Sequence, residues 1–355
     1  MIKTVLLTGI SGYVGLYCAK ELLELGHTVR GTVRNQAKAQ EVRETLNSVS
    51  VNTRNLTFVE LDLTADQGWN LAAKGCDFIM HVASPFFAAN PKNPQEMIAP
   101  AVDGTLRVMR AAKKAGAKRV VLTSSIMAMM GSLKTGKFTS KNWTELNAVN
   151  ISTYTKSKTL AENAAWEFID NQGGEKPIEL VVIAPGGVLG PPLGHRITGE
   201  SMSMMNKMLH GDLPMVLDTA FPMVDVRDVA KLHVQALTLP DAAGKRVIAA
   251  SAEPNGMLSA AQILKEEGYK WPSTRVAPSF LLRLTAWFNR EAAGAVGMLG
   301  MNLSCDNSET RSLFNWKPIP FKKSVLETAS TLETIQNWPR PNWRQLREIC
   351  LKNQS

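Results

Sequence analysis

The sequence predicts an α/β protein built on a doubly wound parallel sheet, with a smaller α/β region towards the C-terminus. Short apolar runs alternate with helical patterns over the first half of the chain, and no tandem repeat interrupts them. Strands that alternate with helices are typical of parallel sheets. A glycine-rich loop directly after the first apolar run, and polar residues at the ends of later runs, support the same fold class.

The first strand is expected at residues 4–7, and the loop after it carries Gly9, Gly12 and Gly15. A helical pattern follows and stops at Gly26. In a strand–loop–helix unit of this kind, the first glycine permits a tight turn and the second lets the backbone approach a pyrophosphate. The third lets the helix pack on the strand. The loop therefore predicts a Rossmann-type dinucleotide site, with the phosphates at the helix N-terminus. The expected cofactor contacts in this segment are Thr8, Gly9, Ser11, Gly12, Tyr13 and Val14.

The second strand, residues 28–33, ends at Arg34, and Lys38 follows one helical turn later. An NAD-selective protein usually has a carboxylate at this strand end, which binds the ribose hydroxyls. Two cations suit a 2′-phosphate far better than a bare ribose. The alternative interpretation is an exposed helix start with solvated charges. We predict that the cofactor is NADP(H).

The later strands of the alternation also end in polar or small residues. These strands are expected at residues 56–61, 77–82, 119–122 and 179–183, with helices near 66–74 and 94–116. The carboxyl ends of parallel strands lie at one edge of a sheet, and ligands bind there. We therefore expect Asp62, Ala83 and Ser125, which follow three of these strands, to lie beside the glycine loop.

A further expected helix carries Tyr154 and Lys158, which are four residues apart and would share one helix face. Tyrosine is a poor acid near neutral pH, because its unperturbed pKa is roughly 10. An ammonium held beside the phenol favours the phenolate and lowers that pKa, which would make Tyr154 a usable proton donor. The pair alone is more typical of a solvated helix face than of a catalytic site. The glycine loop and Ser125 upstream favour the catalytic interpretation.

The pattern changes after residue 185, where glycines and prolines interrupt the alternation. We expect residues 1–185 to form the dinucleotide-binding domain and residues 186–336 to be mainly a substrate-binding region. Part of 223–252, which contains a helix start and an apolar run, is expected to return to the first domain. Residues 337–355 are expected to form a surface tail helix. Other predicted elements are a strand at 245–250 and helices near 258–267, 279–295 and 322–336.

The composition indicates an ordinary globular protein of 355 residues, 45% hydrophobic and 20% charged. The net charge of +9 favours anionic ligands, but the basic residues are scattered, so no nucleic-acid partner is expected. The four cysteines show no metal-binding spacing, so we expect reduced thiols and no metal site. Apolar stretches are broken well before about 20 residues, and no signal region precedes the first strand. We therefore expect a cytoplasmic protein without a membrane partner.

Five motifs, taken together, resemble the extended short-chain dehydrogenase/reductases. In chain order they are Thr8-Gly9-x-x-Gly12-Tyr13-Val14-Gly15, His81-Val82-Ala83-Ser84-Pro85, Thr123-Ser124-Ser125, Tyr154-x-x-x-Lys158 and Asp225-Val226-Arg227-Asp228. The similarity extends over residues 3–336. Within the family it is strongest to the branch of the dihydroflavonol reductases, cinnamoyl-CoA reductases and yeast methylglyoxal (aldehyde) reductases. The set is specific, since five motifs in the correct order and spacing rarely arise by chance.

The resemblance implies a Ser-Tyr-Lys mechanism. Ser125 would hydrogen-bond the substrate carbonyl, Tyr154 would deliver the proton, and Lys158 would lower the tyrosine pKa while it holds the nicotinamide ribose. Ser124 is the alternative to Ser125 as the catalytic hydroxyl. Besides Tyr154 and Lys158, the resemblance implies cofactor contacts at Asp62, Leu63, Val82, Ala83, Ser84, Thr123, Pro185 and Val188.

The chain departs from two branches of the family. Met130 stands where plant flavonoid reductases carry an asparagine, which argues against a polyhydroxylated flavonoid as substrate. Residues 126–130 replace the Val-Tyr-Gly that is usual in sugar-nucleotide epimerases and dehydratases. We expect an apolar, adaptable substrate pocket instead. Its candidate residues, for which packing in the core is the alternative role, are Phe86, Phe87, Met127, Met130 and Met205.

These observations predict an NADPH-dependent reductase that converts hydrophobic or aromatic aldehydes and ketones to alcohols. Its partner would be a small molecule, and the enzyme would be a monomer or a homodimer. One alternative is a hydroxysteroid dehydrogenase or an epimerase/dehydratase-like enzyme that uses NAD, against which Arg34 and Lys38 argue. The other is a non-catalytic protein that senses dinucleotides. The joint presence of Ser125, Tyr154 and Lys158 argues against it.

Overall fold

The structure is a computed structural model, and it describes residues 2–85, 91–149, 151–174, 177–195, 197, 199–285 and 296–336. Its strands are β1 (Thr4–Thr8), β2 (Thr28–Val33), β3 (Leu56–Glu60), β4 (Phe78–His81), β5 (Arg119–Thr123), β6 (Thr135–Phe138), β7 (Glu179–Pro185), β8 (Gly187–Leu189), β9 (Phe221–Asp225), β10 (Arg246–Ala249), β11 (Pro254–Asn255) and β12 (Asn302–Cys305). Its α-helices are α1 (Tyr13–Glu24), α2 (Gln36–Ser48), α3 (Trp69–Ala73), α4 (Gln95–Ala115), α5 (Met127–Met130), α6 (Thr153–Asp170), α7 (Glu200–His210), α8 (Val226–Thr238), α9 (Met257–Glu266), α10 (Ser279–Thr285), α11 (Ser308–Leu313) and α12 (Phe321–Ile335).

Seven strands form one parallel sheet in the order β10-β7-β5-β4-β1-β2-β3. The chain starts inside the sheet at β1, continues outward through β2 and β3, then crosses to β4 and continues in the opposite direction. The strand order therefore reverses between β1 and β4. In sheets of this kind the ligand crevice lies at that point, outside the carboxyl ends of the strands. This architecture confirms the predicted Rossmann-type, doubly wound α/β class.

Both faces of the sheet are covered by helices, because successive side chains of a strand point to opposite faces. In β1, Val5 and Leu7 pack with α1, α2 and α8, whereas Leu6 packs with α3, α4 and α6. All three side chains are fully buried. Burial of each such side chain contributes about 1.5–3 kcal/mol, and all-parallel sheets are found almost only with both faces covered in this way.

Side-chain caps set the starts of two helices at the predicted site. Ser152 precedes α6, and its hydroxyl accepts a hydrogen bond from the backbone nitrogen of Thr155 at 3.0 Å. Asn35 precedes α2 and accepts from the backbone nitrogen of Lys38, also at 3.0 Å. Each cap satisfies an N–H group that has no partner within its own helix. The cap at Ser152 therefore fixes the helix two residues before Tyr154.

The remaining elements form a smaller region with sheets β11-β9-β8 and β12-β6. Helices α7, α9 and α12 pack their apolar faces together there, around Met202, Met205 and Leu332. Strand β6 comes from the first half of the chain and pairs in parallel with β12. No sequence pattern predicts β6, because its residues are mostly exposed and form no apolar run.

The predicted helices at 258–267 and 322–336 differ by one residue from α9 and α12, and the helix predicted at 94–116 agrees within one residue with α4. Of the helix predicted at 279–295, the structure describes α10, and residues 286–295 lie outside the described residues. The predicted tail helix at 337–355 also lies outside them. Within the described residues, no helix has the length and apolar character that crossing a membrane requires.

Candidate active site

The glycine loop between β1 and α1 has no room for a side chain at two of its three glycines. Gly9 has a φ of +71°, and a Cβ there would lie 2.7 Å from the backbone nitrogen of Ala83. A Cβ on Gly15 would overlap the carbonyl oxygen of Gly9. At Gly12 the nearest atom of the described residues would be that same oxygen, at 3.3 Å. A side chain at Gly12 would therefore extend into the space beside the loop, which fits a backbone that a pyrophosphate approaches.

The ends of β1 and β4 are joined by the hydroxyl of Thr8. This oxygen is hydrogen-bonded to Nδ1 of His81 at 2.7 Å and accepts from the backbone nitrogen of Ala83 at 3.1 Å. Burial, assisted by the charge of Lys158, lowers the pKa of His81 to about 3, so its imidazole is neutral near pH 7. These contacts hold residues 82–84, the predicted cofactor lining, beside the glycine loop.

The two predicted phosphate ligands lie at the end of β2. Arg34 is exposed, and Lys38 lies in the first turn of α2, where its ammonium donates to Glu41 at 2.8 Å. A surface ion pair of this kind contributes at most about 1 kcal/mol, so it does not prevent Lys38 from binding a phosphate. The Arg34 charge also reaches the end of β3. Hydrogen bonds from Thr64 lower the pKa of Asp62, and Arg34 adds a smaller effect in the same direction.

Helix α4 supports the loop after β3. Arg107 of α4 donates from Nη1 to the carbonyl oxygen of Leu63 at 2.7 Å and from Nε to Asp66 at 2.5 Å. The leucine side chain lies against Gly104, where a Cβ would be only 2.9 Å away from it. These contacts hold Asp62 and Leu63, the predicted neighbours of the adenine, on the same edge of the sheet as the glycine loop.

The three predicted catalytic side chains meet at the carboxyl end of β5. A side-chain hydrogen bond joins Ser125, which follows β5, to Tyr154 in the first turn of α6. The Ser125 hydroxyl also accepts from the backbone nitrogen of Met127 at 3.2 Å. Lys158, one turn further along α6, donates from Nζ to the carbonyl oxygen of Thr123 at 3.3 Å. Thr123, a predicted cofactor contact and the last residue of β5, therefore connects the cluster to the sheet.

The Tyr154 phenol does not have the lowered pKa that its spacing from Lys158 predicts. Desolvation raises the pKa of Tyr154 because it disfavours the phenolate, and the hydrogen bond with Ser125 opposes that rise. Burial also lowers the pKa of Lys158 to about 8, against the opposing effect of the Glu162 carboxylate. The prediction of a lowered tyrosine pKa was wrong because spacing places two residues on one helix face but does not determine how deeply each is buried.

The two serines after β5 have different partners. Ser124 donates to the buried carboxylate of Glu162 at 2.5 Å, whereas Ser125 is bonded to Tyr154. This difference favours Ser125 as the hydroxyl that meets a substrate carbonyl. Glu162 was not among the predicted site residues. Its spacing of four from Lys158, on the same helix face, is the signal that could have identified it.

The turn after β7 adjoins the loop that carries Ser125. Pro185 ends β7, and its carbonyl oxygen accepts a hydrogen bond from the backbone nitrogen of Ile126 at 3.0 Å. Val188 lies in β8 and is paired with Val224 of β9. The predicted nicotinamide-facing segment, 185–188, therefore connects the large sheet with the smaller region at the position of the Ser-Tyr-Lys cluster.

The predicted substrate-pocket residues are divided between surface and core. Met127 is half-buried, whereas Met130 and Met205 are fully buried in two separate apolar clusters. The two buried methionines have the packing role that was the alternative interpretation. Phe86 and Phe87 lie outside the described residues.

A buried histidine of α8 is hydrogen-bonded to the carboxyl end of β5. His233 of α8 is hydrogen-bonded through Nδ1 to the carbonyl oxygen of Val229 at 2.8 Å and through Nε2 to the hydroxyl of Thr123 at 2.7 Å. A carbonyl only accepts, so Nδ1 carries the proton and Nε2 accepts from Thr123. Burial lowers the pKa of His233 to about 4, which keeps the ring neutral at physiological pH.

We expect the free energy of unfolding to decrease as the pH falls from about 6.5 towards about 4. The folded-state pKa values of His81 and His233 lie below the unfolded value, so the unfolded chain binds more protons in this window. Each histidine contributes a slope of up to about 1.4 kcal/mol per pH unit. Urea denaturation at a series of pH values measures it. His233→Gln should reduce the slope by up to about 1.4 kcal/mol per pH unit, and a slope equal to that of the wild type would contradict the assignment.

A glycine cradle at the point where the strand order reverses, beside a Ser-Tyr-Lys cluster, is the arrangement of a dinucleotide-dependent oxidoreductase. The model of the NAD dependent epimerase/dehydratase family matches residues 5–250. The chain belongs to this family, and thus to the extended short-chain dehydrogenase/reductases. This result confirms the predicted resemblance and the predicted enzyme class.

Several reductases are similar to this chain. Cinnamoyl-CoA reductase 1 of Arabidopsis thaliana is 36% identical over 259 residues, which cover 72% of this chain and 72% of the relative. Tetraketide alpha-pyrone reductase 2 of the same plant is 33% identical over 257 residues, which cover 69% of this chain and 77% of the relative. Among solved structures, Gre2 of Candida albicans in complex with NADPH is 25% identical, with a TM-score of 0.75 over 94% of this chain and 99% of that one. The structure of yeast methylglyoxal/isovaleraldehyde reductase Gre2, complexed with NADPH, has a TM-score of 0.76 at 23% identity. The match covers 95% of this chain and 100% of that chain, so the two proteins share the fold.

Proposed function

We propose that this protein is an NADPH-dependent carbonyl reductase that forms alcohols from hydrophobic or aromatic aldehydes and ketones. The observation that carries the proposal is the hydrogen bond between Ser125 and Tyr154 at the carboxyl end of the sheet, with Lys158 one turn along the same helix. A carbonyl oxygen between the two hydroxyls would receive two hydrogen bonds. Such donors stabilise the negative charge that develops on the oxygen during reduction.

The residues present fit a nicotinamide dinucleotide phosphate. Gly12 is the N-cap of α1 and has no side chain to cap its first N–H groups, which suits a pyrophosphate at the helix N-terminus. Arg34 and Lys38 would hold the 2′-phosphate, and Asp62 and Leu63 would flank the adenine. The similarity to Candida albicans Gre2, solved in complex with NADPH, supports NADP(H) as the cofactor.

The mechanism follows from the protonation of the cluster. NADPH, when bound, supplies a hydride to the carbonyl carbon. Ser125 donates a hydrogen bond to the carbonyl oxygen, and Tyr154, whose pKa is raised, keeps its proton at neutral pH until the oxygen becomes basic enough to take it. Lys158, with a pKa of about 8, is mostly protonated near pH 7 and favours the phenolate that remains. The proton transfer contributes on the order of 10²–10⁴-fold in rate.

The substrate class rests on apolar side chains next to the cluster. Met127 and Phe221, both half-buried, pack against the same apolar cluster beneath Ser125. Phe221 also lies beside Gly187, where a Cβ would be 2.8 Å from its ring. We propose that residues 186–336 supply mainly the substrate side and residues 1–185 mainly the cofactor side; β10 pairs with β7 in the large sheet. The names of the cinnamoyl-CoA and tetraketide alpha-pyrone reductases support extended or aromatic carbonyl substrates.

The proposed setting is the cytoplasm, where the enzyme acts on a small molecule as a monomer or a homodimer. Cys18, Cys76 and Cys305 are free and buried, which suits a reducing compartment. Burial raises the pKa of the Cys76 thiol, and the pKa of Cys305 rises to about 12. These thiols are therefore unreactive packing groups.

The loss of NADPH absorbance against a panel of aliphatic, aromatic and α-dicarbonyl compounds tests the proposed function. We expect turnover that is fastest with apolar or aromatic carbonyls and slower with NADH in place of NADPH. A Ser125→Ala, Lys158→Met double variant is the matched control for contaminating reductases. Tight binding of NADPH without turnover of any carbonyl would contradict the proposal, as would turnover that the double variant retains.

Replacing Arg34 and Lys38 together with serine should raise the dissociation constant for NADPH by at least about 100-fold, because each of the two lost hydrogen bonds to a charged group contributes about 1.5–3 kcal/mol and every 1.4 kcal/mol is tenfold. The dissociation constant for NADH should change much less, since NADH has no 2′-phosphate. Fluorescence titrations of both cofactors measure the difference. Lys20→Ser, which removes an exposed charge paired with Glu24 on α1, is the control. Equal weakening of NADPH and NADH would show that the two cations do not select the phosphate.

A further inference from the structure

A buried carboxylate lies directly behind the Ser-Tyr-Lys cluster. Glu162 is fully buried on α6, one helical turn beyond Lys158. Its Oε2 accepts a hydrogen bond from Ser124 at 2.5 Å. Its Oε1 accepts from Nε of Arg246 at 2.5 Å and from the indole nitrogen of Trp166 at 3.4 Å. An ionised carboxylate is costly to bury unless it is paired, so the burial of Glu162 beside the cluster suggests a functional role for its charge.

The arginine that holds the carboxylate is itself fixed in place. Arg246 is the first residue of β10 at the edge of the large sheet, and its side chain is nearly buried. Its Nη1 donates to the carbonyl oxygens of Ser140 and Asn142, both at 2.7 Å, and its guanidinium lies 3.6 Å from the ring centre of Trp143. Glu162 is therefore held by a fixed cation, and it lines the same cavity as Lys158.

Among the described residues that line the cavity beside the Lys158 ammonium, Glu162 is the carboxylate. The polar groups that face it or its carboxylate are Tyr154 and Glu162 of α6, His81 of β4, Thr105 of α4, Thr123 of β5, Ser124 after β5 and Arg246 of β10. Of these, Tyr154 and His81 are neutral near pH 7, because desolvation raises the pKa of the first and lowers that of the second. Glu162 is the group in this set whose negative charge can balance the lysine.

Resting on the proposed function, we propose that Glu162 is a positioning residue that keeps Lys158 charged and in place during turnover, and that Arg246 determines how strongly it does so. The carboxylate attracts the ammonium of Lys158, while the guanidinium competes for the same carboxylate. The two neighbours of the lysine therefore have opposite effects on its protonation. Ser124, bound to the other carboxylate oxygen, fixes the direction in which the carboxylate points.

Glu162→Gln removes this charge and keeps the shape of the side chain. The Glu162 carboxylate opposes the effect of desolvation on Lys158, so without this charge the pKa of Lys158 should fall from about 8, by about one unit for the loss of a nearby opposite charge. The profile of kcat/KM against pH should show its alkaline decline about one unit lower. The variant should lose about fivefold near pH 8 and less than about 1.5-fold near pH 6, since Lys158 is charged in both proteins at the lower pH.

Arg246→Gln should shift the pH profile in the opposite direction. Removing the competing cation should move the alkaline decline to higher pH, while a purely structural loss would lower the rate equally at every pH. Glu179→Gln is the matched control, because Glu179 also pairs with a buried arginine, Arg119, at 2.6 Å, but at the amino end of the sheet. Its pH profile should equal that of the wild type.

A shift of the alkaline decline to lower pH in Glu162→Gln, with the reverse shift in Arg246→Gln, supports the inference. A decline at unchanged pH in either folded variant overturns it, and if Glu162→Gln does not fold, Arg246→Gln decides alone. The pH dependence of NADPH binding, followed by fluorescence, separates this inference from the proposed function. A wild type that binds NADPH but reduces no carbonyl refutes the function, whereas the shift in binding between variants still tests the role of Glu162.

Discussion

Tyr154→Phe should lower kcat/KM for carbonyl reduction by at least about 10²–10⁴-fold, the typical contribution of a positioned general acid. The substitution removes the phenolic oxygen that is hydrogen-bonded to Ser125 and leaves the ring in place. NADPH affinity should remain close to that of the wild type, because the glycine cradle and the cations at the end of β2 are unchanged. Steady-state rates and NADPH titrations on the same preparation give both quantities.

Tyr269→Phe provides the control for this experiment. Tyr269 lies in the smaller region, where its hydroxyl donates to Glu333 at 3.4 Å, so removal of that hydroxyl should leave kcat/KM unchanged. A Tyr154→Phe variant with a near-normal rate would rule out the tyrosine as proton donor. A loss of NADPH binding equal to the loss of rate would instead assign the phenol to cofactor binding alone.

Two glycines of the loop, Gly12 and Gly15, should respond differently to replacement by alanine. Gly15→Ala should lower the free energy of unfolding by about 1–3 kcal/mol or more, because the new Cβ would overlap the carbonyl oxygen of Gly9. Gly12→Ala should fold with a Tm close to the wild type, since its Cβ would meet only that oxygen at 3.3 Å among the described residues. It should nevertheless weaken NADPH binding by at least about tenfold, or about 1.4 kcal/mol.

Thermal unfolding and NADPH titration of both variants measure these effects, and each variant is the control for the other. Unchanged NADPH affinity in Gly12→Ala would show that the pyrophosphate does not approach this residue. An unchanged Tm in Gly15→Ala would show that the contact between α1 and the loop adapts to a methyl group.

The large sheet could be predicted because its signals are local. Each strand is a short apolar run, each helix has its own period and caps, and the glycine spacing at 9–15 lies within a single strand–loop–helix unit. Parallel strands then bring their ends to one edge, which is why Asp62, Ala83 and Ser125 were expected beside the glycine loop, whereas the meeting of Ser125 with Tyr154 was implied by the family resemblance. Strand β6 gave no such signal, because its side chains are mostly exposed and its stability comes from pairing with β12.

The electrostatics of the site could not be predicted in the same way. The ion pair between Glu162 and Arg246 joins residues 84 positions apart, and nothing in the local pattern at either position indicates the other. The raised pKa of Tyr154 and the lowered pKa of Lys158 both arise mainly from desolvation, a property of the packed tertiary structure. Spacing identified which groups meet, and packing determined their protonation.

The late return of β10 to the large sheet limits how this enzyme can be divided or recombined. A fragment that stops after β7 would leave that strand as an unpaired edge, which favours association with other chains. It would also leave Glu162 buried without Arg246, and breaking a buried ion pair costs about 3–5 kcal/mol. Residues 1–185 are therefore not expected to fold as an independent unit, and chimeric enzymes that include them need the chain at least through Ala249.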